Sequence, residues 1–489
     1  MAIKDQLKGI VGEANVLDSP EIIDSYSKDF SVEPEGRFTC VARPKDAREV
    51  QRIIKLANRD KFAVVPRSSG VHFHGNAIPK MGGVVLDMQR MNAIKEIDEG
   101  SLTVHLEPGA TWGQVQPALL AKGYRMVIPL LPHPERSVVM DWLERESPVV
   151  QIHEYNEPML SMQLIWGTGQ EFVTGSATTN SFRQPGCLED GVTPQGPGPV
   201  TYERFISGAQ GTLGAVTWGI VQIQPLPTLS KALFIATDSA EDAIEPIYKI
   251  LRRRIGYECL LLNNINLASI LAESWPEQFA QLRAVLPAWT TILVLGGLKY
   301  RPDEKIAYQE EALDDILRNY FPGLKAQETL RGVAGVEKKI PDMLLKAWSK
   351  DRTYWKHAYK GGCQDLIFMV SLDCVEKFIP AVNEVAARYG YPASDIGCYI
   401  QPVENGRACQ LEFNFYFNPQ DKAEKERIRG LYADAAAAVF QRGAWFTRPY
   451  GSAVTTMIYK KYGQYVATVK RLKKYFDPNY VMNPGTLCF

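Results

Sequence analysis

The spacing of apolar and polar positions changes period several times along the first half of the chain. Asp46 to Ala57 repeats its apolar residues at helical spacing, and Phe62-Ala-Val-Val65 follows as a short apolar run suited to a buried strand. Val84-Val-Leu-Asp87 and Leu102-Thr-Val-His-Leu106 predict further strands, and Thr111 to Leu120 a helix. Met159 to Trp166 and Glu171 to Thr174 predict a hairpin turning at Gly167-Thr168-Gly169. Residues 176–203, rich in Ser, Thr, Pro and Gly, predict a long surface loop that covers a site. Ala215 to Ile223 reads as a strong strand that stops at Pro225-Leu-Pro227, and a domain boundary is placed there.

Beyond that boundary the rhythm is different. Strands are expected over 232–237, 257–262, 291–297, 366–372, 396–401 and 409–417, with helices over 240–254, 303–319, 374–389 and 419–441. This order suggests an α+β sheet with helices on one face. The last 45 or so residues read as helical and end in Asp477-Pro-Asn-Tyr-Val-Met-Asn-Pro-Gly485. At 489 residues the chain has room for two or three domains.

Composition narrows the functional classes. Lys plus Arg and Asp plus Glu each number 55, so the formal net charge is zero and gives no general attraction for nucleic acid or anionic lipid. None of the eight cysteines forms a Cys-x-x-Cys pair, which argues against an iron–sulfur cluster or structural zinc and fits reduced thiols in a cytoplasmic protein. No run of about 18 apolar residues marks a membrane span. The chain lacks both Gly-x-Gly-x-x-Gly and Gly-x4-Gly-Lys-[Ser/Thr], so a nucleotide cofactor must be held in some other way than by a Rossmann turn or a P-loop.

Two glycine-bearing segments offer that alternative. In Pro66-Arg-Ser-Ser-Gly-Val-His-Phe-His-Gly75, a strand delivers a loop in which Gly70 and Gly75 permit a sharply turned backbone. Such a turn can aim several N–H groups at a pyrophosphate, with Arg67, Ser68 and Ser69 as added donors, or it can be an ordinary strand-ending turn. In Gly208-Ala-Gln-Gly-Thr-Leu-Gly-Ala-Val-Thr217, Gly211 and Gly214 would let the backbone approach a flat ligand closely, or simply tighten a turn before a buried strand.

Taken in order, Pro66 to His72, Ser137-Val-Val-Met-Asp-Trp-Leu-Glu-Arg145 with Thr168 to Gly175, Gly208 to Thr217 and Asp477 to Gly485 resemble the FAD-linked oxidoreductases of the vanillyl-alcohol oxidase and p-cresol methylhydroxylase family. The resemblance covers residues 15–228 and 440–489 best. It implies an FAD-binding domain of two α+β subdomains over residues 1–228, a ferredoxin-like α/β cap domain over 229–445, and a helical segment over 446–489 returning to the FAD domain. It further implies that Pro66, Arg67, Ser68, Ser69, Gly70, Val71, His72 and Gly75 surround the pyrophosphate. Ser137 and Asp141 would face the cofactor, Gly211, Gly214 and Val216 would touch it through the backbone, and Asn483 would close the site. Relatives with covalent FAD carry a histidine where Val71 stands, so non-covalent FAD is expected, with His72 and His74 engaged in loop hydrogen bonds.

Two substrate classes compete. The metal-using D-2-hydroxy-acid branch ligates an ion through cap histidines, but no histidine lies beyond His357, so no metal site is expected. The phenol-oxidising branch uses tyrosines and an arginine around a phenolate. Those positions fall near Val149 and Trp445-Phe446 here, and Tyr155, Arg448 or Tyr450 are the candidate replacements. Hydride transfer to flavin needs a group to take the hydroxyl proton and one to hold the developing oxyanion. Arg448 and Tyr450 in Phe446-Thr-Arg-Pro-Tyr-Gly451 are the candidate catalytic residues. Arg352-Thr-Tyr-Trp-Lys-His-Ala-Tyr359, aromatic and basic, suits either a cap pocket for a small aromatic acid or an amphipathic helix with solvated charges. Glu412, Asn414 and Tyr416 share one face of a strand that lines the site or faces water. The expectation is an FAD-dependent oxidoreductase acting on a small hydroxylated, aromatic or phenolic, substrate. A D-2-hydroxy-acid dehydrogenase, a flavin electron-transfer subunit serving a redox partner protein, and a non-redox alkyl-transfer enzyme stay open, as does a homodimer.

Overall fold

The computed structural model of the protein describes residues 3–150, 158–175 and 200–489. Most of the loop expected over 176–203 falls outside these residues, and so does Tyr155.

Three sheets organise the chain. The first runs in the order Val16–Leu17, Cys40–Ala42, Val84–Asp87, Val64–Arg67, with its last three strands parallel. Its valines pack under helix Ala47–Asp60, whose Val50, Ile53, Ile54 and Ala57 form the buried stripe. Asp46 caps this helix, Oδ1 accepting from Glu49 N at 2.8 Å. The second sheet is antiparallel, in the order Ile94–Asp98, Thr103–Leu106, Gly214–Gln222, Met159–Trp166, Glu171–Val173. The hairpin expected at Gly167-Thr168-Gly169 is present, with Gly169 at φ 81° where the turn needs the left-handed region.

The third sheet has seven antiparallel strands in the order Ala326–Gln327, Leu229–Thr237, Trp289–Gly297, Glu258–Asn263, Ile396–Val403, Ala408–Phe417, Gly362–Val370. Helices cover both of its faces, not one as the strand-and-helix order suggested. Leu233, Ile235, Leu366, Phe368, Leu411, Phe413 and Phe415 point toward helices Glu241–Arg252, Pro302–Tyr320, Phe378–Arg388 and Lys422–Gln441. Ala232, Phe234, Leu260, Leu262, Ile292 and Val294 point the other way, toward Asn264–Leu271, Glu277–Val285 and Val336–Leu344. A strand apolar at consecutive positions must be buried on both faces, and Leu233-Phe-Ile235 is such a run.

The sheets are joined by specific contacts. Cys259 N donates to Val149 O at 3.2 Å, and the buried Arg125 and Glu258 pair at 2.5 Å. Trp355 Nε1 donates to Leu131 O at 3.3 Å, and Gln116 Nε2 to Leu345 O at 2.9 Å. After helix Gly463–Phe476 the tail returns to the first sheet, where Val64 N donates to Val481 O at 2.7 Å and Asn483 N to Val64 O at 2.9 Å.

An ion pair with both side chains fully buried anchors this return. Lys473 Nζ donates to Asp477 Oδ2 (2.6 Å), Thr212 O (2.5 Å) and Met482 O (2.8 Å), while Asp477 accepts from Val481 N (3.0 Å) and Met482 N (2.8 Å). Removing one partner leaves the other charge uncompensated in the interior. Lys473→Met is therefore expected to lower stability by about 3–5 kcal/mol in urea denaturation, with loss of the tail's hydrogen-exchange protection.

Candidate active site

Three loops from different elements meet in a partly open cleft. Pro66, Ser68, His72, Asn76 and Ala77 come from the loop after strand Val64–Arg67, Val139, Met140, Leu143 and Glu144 from helix Val138–Leu143 and its C-cap, and Ala209 to Gly211 and Leu213 to Val216 from the glycine-bearing segment. In the first loop, no backbone N–H from Ser68 to His74 donates a hydrogen bond within the described residues, so a run of amides is left for an anion. Arg67 serves the loop itself: Nε donates to Ser69 O at 3.4 Å and Nη2 to Gly70 O at 3.2 Å, and its guanidinium lies over Tyr26. Ser69 Oγ donates to Val71 O at 3.2 Å, and His72 Nε2 lies 2.9 Å from Ser69 O. Val71 packs against the cap in one apolar cluster, and Gly75, at φ 74°, donates its N–H to Asp29 at 2.7 Å.

Gly211 sits at φ 69° with Pro66 3.2 Å from where a Cβ would be, which keeps the cleft open between the first and third loops. Gly214 and Val216 begin the strand that forms its floor. Asn483 stands behind these loops, Nδ2 donating to Asn76 O at 3.0 Å and to Gln210 O at 2.7 Å. Ser137 does not line the cleft. Its Oγ donates to Pro108 O at 2.6 Å and accepts from Met140 N at 3.0 Å as the helix cap. Asp141 also points elsewhere, into a second cavity.

That second cavity, about 520 Å³, lies under the cap. Phe73, Leu130, Tyr354, Trp355, Ile367 and Tyr399 form its apolar walls. Phe73 and Tyr354 stack at 5.5 Å, and Arg136 lies over Phe73 at 5.2 Å. The cations here hold carboxylates. Arg136 Nε donates to Asp141 at 2.5 Å, Arg448 Nη1 pairs with Glu146 at 2.7 Å, and Lys356 Nζ donates to Asp365 at 2.6 Å and Glu412 at 2.5 Å. Burial works against ionised Glu146, but Arg448 and the nearby His74 and Arg136 outweigh it and hold the carboxyl well below the usual range.

Between the two cavities stand Tyr450 and Glu144. Tyr450 OH donates to Glu144 Oε2, and its ring stacks on His74 at 4.2 Å and 10°. Asn76 Nδ2 donates to the other oxygen of Glu144 at 2.7 Å. Burial pushes the Glu144 carboxyl up to about 7, against the Tyr450 hydrogen bond and the Arg136 and Arg448 charges. Burial holds the imidazole of His74 below its ordinary pKa, and its Nδ1 has no hydrogen-bond partner among the described residues.

The structure thus gathers Arg448 and Tyr450 with Glu144, Glu146, Arg136 and Asp365, which sequence reasoning did not single out, and with Lys356 of the Arg352–Tyr359 segment, whose Tyr354, Trp355 and Lys356 line the cap cavity. Glu144 is the C-cap of helix Val138–Leu143 and faces the first cleft, whereas Asp141 three residues earlier faces the second cavity, so spacing from Asp141 would not have found it. The phenolate positions of the phenol-oxidising branch do not reach this cavity. Val149 is buried in the apolar cluster, Trp445 is exposed, and Phe446 packs behind the sheet against Phe368 at 5.9 Å.

A family profile described as FAD binding domain matches residues 38–138. A glycolate oxidase subunit of Bacillus subtilis is 24% identical over 99% of this chain and 96% of its own. A D-2-hydroxyglutarate dehydrogenase of Stutzerimonas stutzeri is 22% identical over 99% and 98%. The crystal structure of p-cresol methylhydroxylase superposes with a TM-score of 0.82 at 17% identity, covering 99% of this chain and 96% of that one. The protein is an FAD-dependent oxidoreductase with the p-cresol methylhydroxylase type of FAD-binding fold. No described helix is long and apolar enough to cross a membrane.

The cleft fits this cofactor: its free amides suit a pyrophosphate, and its glycines and small apolar residues suit a flat ring system. Gly211→Ala forces a left-handed backbone on a residue with a Cβ and pushes that Cβ toward Pro66. It is expected to lower the FAD content of the purified protein severalfold, read from the ratio of flavin to protein absorbance.

Proposed function

We propose that the protein oxidises a small hydroxylated aromatic substrate, a phenol or phenol-like alcohol, at an alcoholic or benzylic carbon. The observation that carries this reading is the charge arrangement of the cap cavity. Its walls are aromatic, and Arg136, Lys356 and Arg448 each hold a carboxylate. A neutral ring with a hydroxyl suits such a pocket, since a substrate carboxylate would enter beside Asp141, Glu146, Asp365 and Glu412, where Arg136 and Lys356, the cations among the described lining residues, are already paired with acids.

Bound FAD supplies the hydride acceptor. The chain's own residues would position the ring between Phe73, Tyr354 and Tyr399, exclude water, and manage one proton. Ionised Glu144 accepts the proton of the reacting alcoholic hydroxyl, relayed through Tyr450 OH, and His74, stacked on the Tyr450 ring, fixes its plane. Asn483, Gly211 and the Ser68–His72 amides would hold the cofactor without a covalent bond.

The second reading is a D-2-hydroxy-acid dehydrogenase, favoured by the names of the two curated relatives. It requires Arg448 to exchange Glu146 and Gln410 for the substrate carboxylate.

An anaerobic titration of the holo-protein against 4-alkylphenols and D-2-hydroxy acids separates the two. Bleaching of the flavin band by the phenols supports the first reading; bleaching by hydroxy acids alone overturns it. Because Glu144 must be ionised to accept a proton, the rate of flavin reduction should rise with pH through about 7. Glu144→Gln should abolish that rise and slow reduction by about 10²-fold, measured by stopped flow.

A further inference from the structure

Strand Ala408–Phe417 turns Cys409, Leu411, Phe413, Phe415 and Phe417 into the apolar core, so Gln410, Glu412, Asn414 and Tyr416 occupy its other face. All four are buried, and polar groups in that position persist only with partners. Asn414 Nδ2 donates to Asp365 Oδ1 and Glu412 Oε1, each at 2.7 Å. Asn266 Nδ2 donates to Asn414 Oδ1 at 2.7 Å, and Tyr416 OH to Asn266 Oδ1 at 2.7 Å. Gln410 Nε2 donates to Glu412 Oε2 at 3.3 Å. The chain of bonds is rigid, and it ends on Lys356.

Lys356 has three ammonium hydrogens. Asp365 Oδ2 and Glu412 Oε1 take two of them, and no acceptor for the third occurs among the described residues. Lys356, Asp365 and Glu412 all line the cap cavity, beneath Phe73, Tyr354 and Tyr399. Two carboxylates against one ammonium leave room for one further proton. Burial, ahead of the opposing Lys356 charge, raises the Glu412 carboxyl, while Lys356, despite its burial, is held strongly cationic by both acids. The group therefore offers one N–H donor and one proton acceptor side by side. A phenolic hydroxyl, which gives one proton and accepts at the same oxygen, is complementary to that pair. A carboxylate would add a charge next to the acids, and an ether oxygen would leave Glu412 unmatched.

We propose that Lys356 and Glu412, fixed by Asp365 and Asn414, are the phenol-binding residues of this enzyme, in place of the tyrosines and arginine absent at Val149 and Trp445-Phe446. This assignment rests on the phenolic reading of the pocket. On binding, the phenolic O–H bond breaks and its proton passes to a Glu412 carboxylate oxygen. The electron pair stays on the phenolic oxygen, which accepts the third N–H of Lys356, so the total charge of the site is unchanged. An ionised phenol releases electron density through the ring and eases departure of a hydride from the alcoholic or benzylic carbon attached para to it.

The test uses holo-protein with phenol labelled with ¹³C at the hydroxyl-bearing carbon, a ligand that has no carbon to oxidise. Its chemical shift reports ionisation directly. The wild-type protein should bind it as phenolate at neutral pH, although the free hydroxyl titrates at about 10. Glu412→Gln should bind it as neutral phenol, and Lys356→Met should weaken binding at least about tenfold, with Lys356→Arg recovering part of the loss. FAD absorbance checks that each variant retains its fold, and the conservative Glu412→Gln and Lys356→Arg keep the test decisive where Lys356→Met fails to fold. A phenolate signal that persists in Glu412→Gln, or unchanged affinity in Lys356→Met, overturns the assignment while leaving the phenolic reading standing. No phenol binding to wild type, together with flavin bleaching by D-lactate, overturns both.

Discussion

The cofactor cleft exists because the end of the chain is locked across its two halves. Lys473 reaches Thr212 in the segment that supplies the third loop, while Asp477 organises the backbone of Val481 and Met482. Those residues then pair with Val64 in the strand that delivers the first loop. Asn483 completes the lock by bonding one carbonyl from each loop. A cleft between two sheets has no cohesion of its own along its open edge. Here a single buried ion pair and one amide side chain hold both walls at a fixed spacing.

The cap cavity obeys a second constraint, local charge balance. Buried cations occur there beside buried acids, because neither survives alone in a low-dielectric interior. The protein answers with three small networks: Arg136 with Asp141 and Glu146, Arg448 with Glu146 and Gln410, and Lys356 with Asp365 and Glu412. Each network fixes its members in one geometry. Together they leave a pocket that is ordered, aromatic-walled and acid-rich, which is the physical ground for preferring a neutral hydroxylated ring over an anionic acid.

Glu144 joins the two cavities. It is buried enough for its carboxyl to rise to about 7, yet it is bonded to Asn76 on the cofactor side and Tyr450 on the substrate side. It lines the first cleft itself and reaches the cap cavity through Tyr450, whose ring stacks on His74 in that cavity's wall, and only a carboxyl near neutrality can both give and take a proton there.

The sequence by itself determined several local elements and, by resemblance, the presence of an FAD-binding domain. The periodicity from Asp46 to Ala57 marked a helix and Gly167-Thr168-Gly169 a hairpin, because helical spacing and turns are written in neighbouring residues, and the ordered glycine and Asn-Pro-Gly segments pointed to an FAD fold through their resemblance to a known family. The alternation of Glu412, Asn414 and Tyr416 was also visible, but not whether that face met water or a cavity. Only the tertiary structure decided that both faces of the cap sheet are buried, that Ser137 and Asp141 turn away from the cofactor cleft, and that Arg448 is held by Glu146. It alone brought Glu144 to Tyr450 and Lys356 to Asp365 and Glu412. Glu144 and Tyr450, and Lys356 and Glu412, are far apart in the chain, and their contacts are set by packing and by the need to compensate buried charge, which no local spacing encodes.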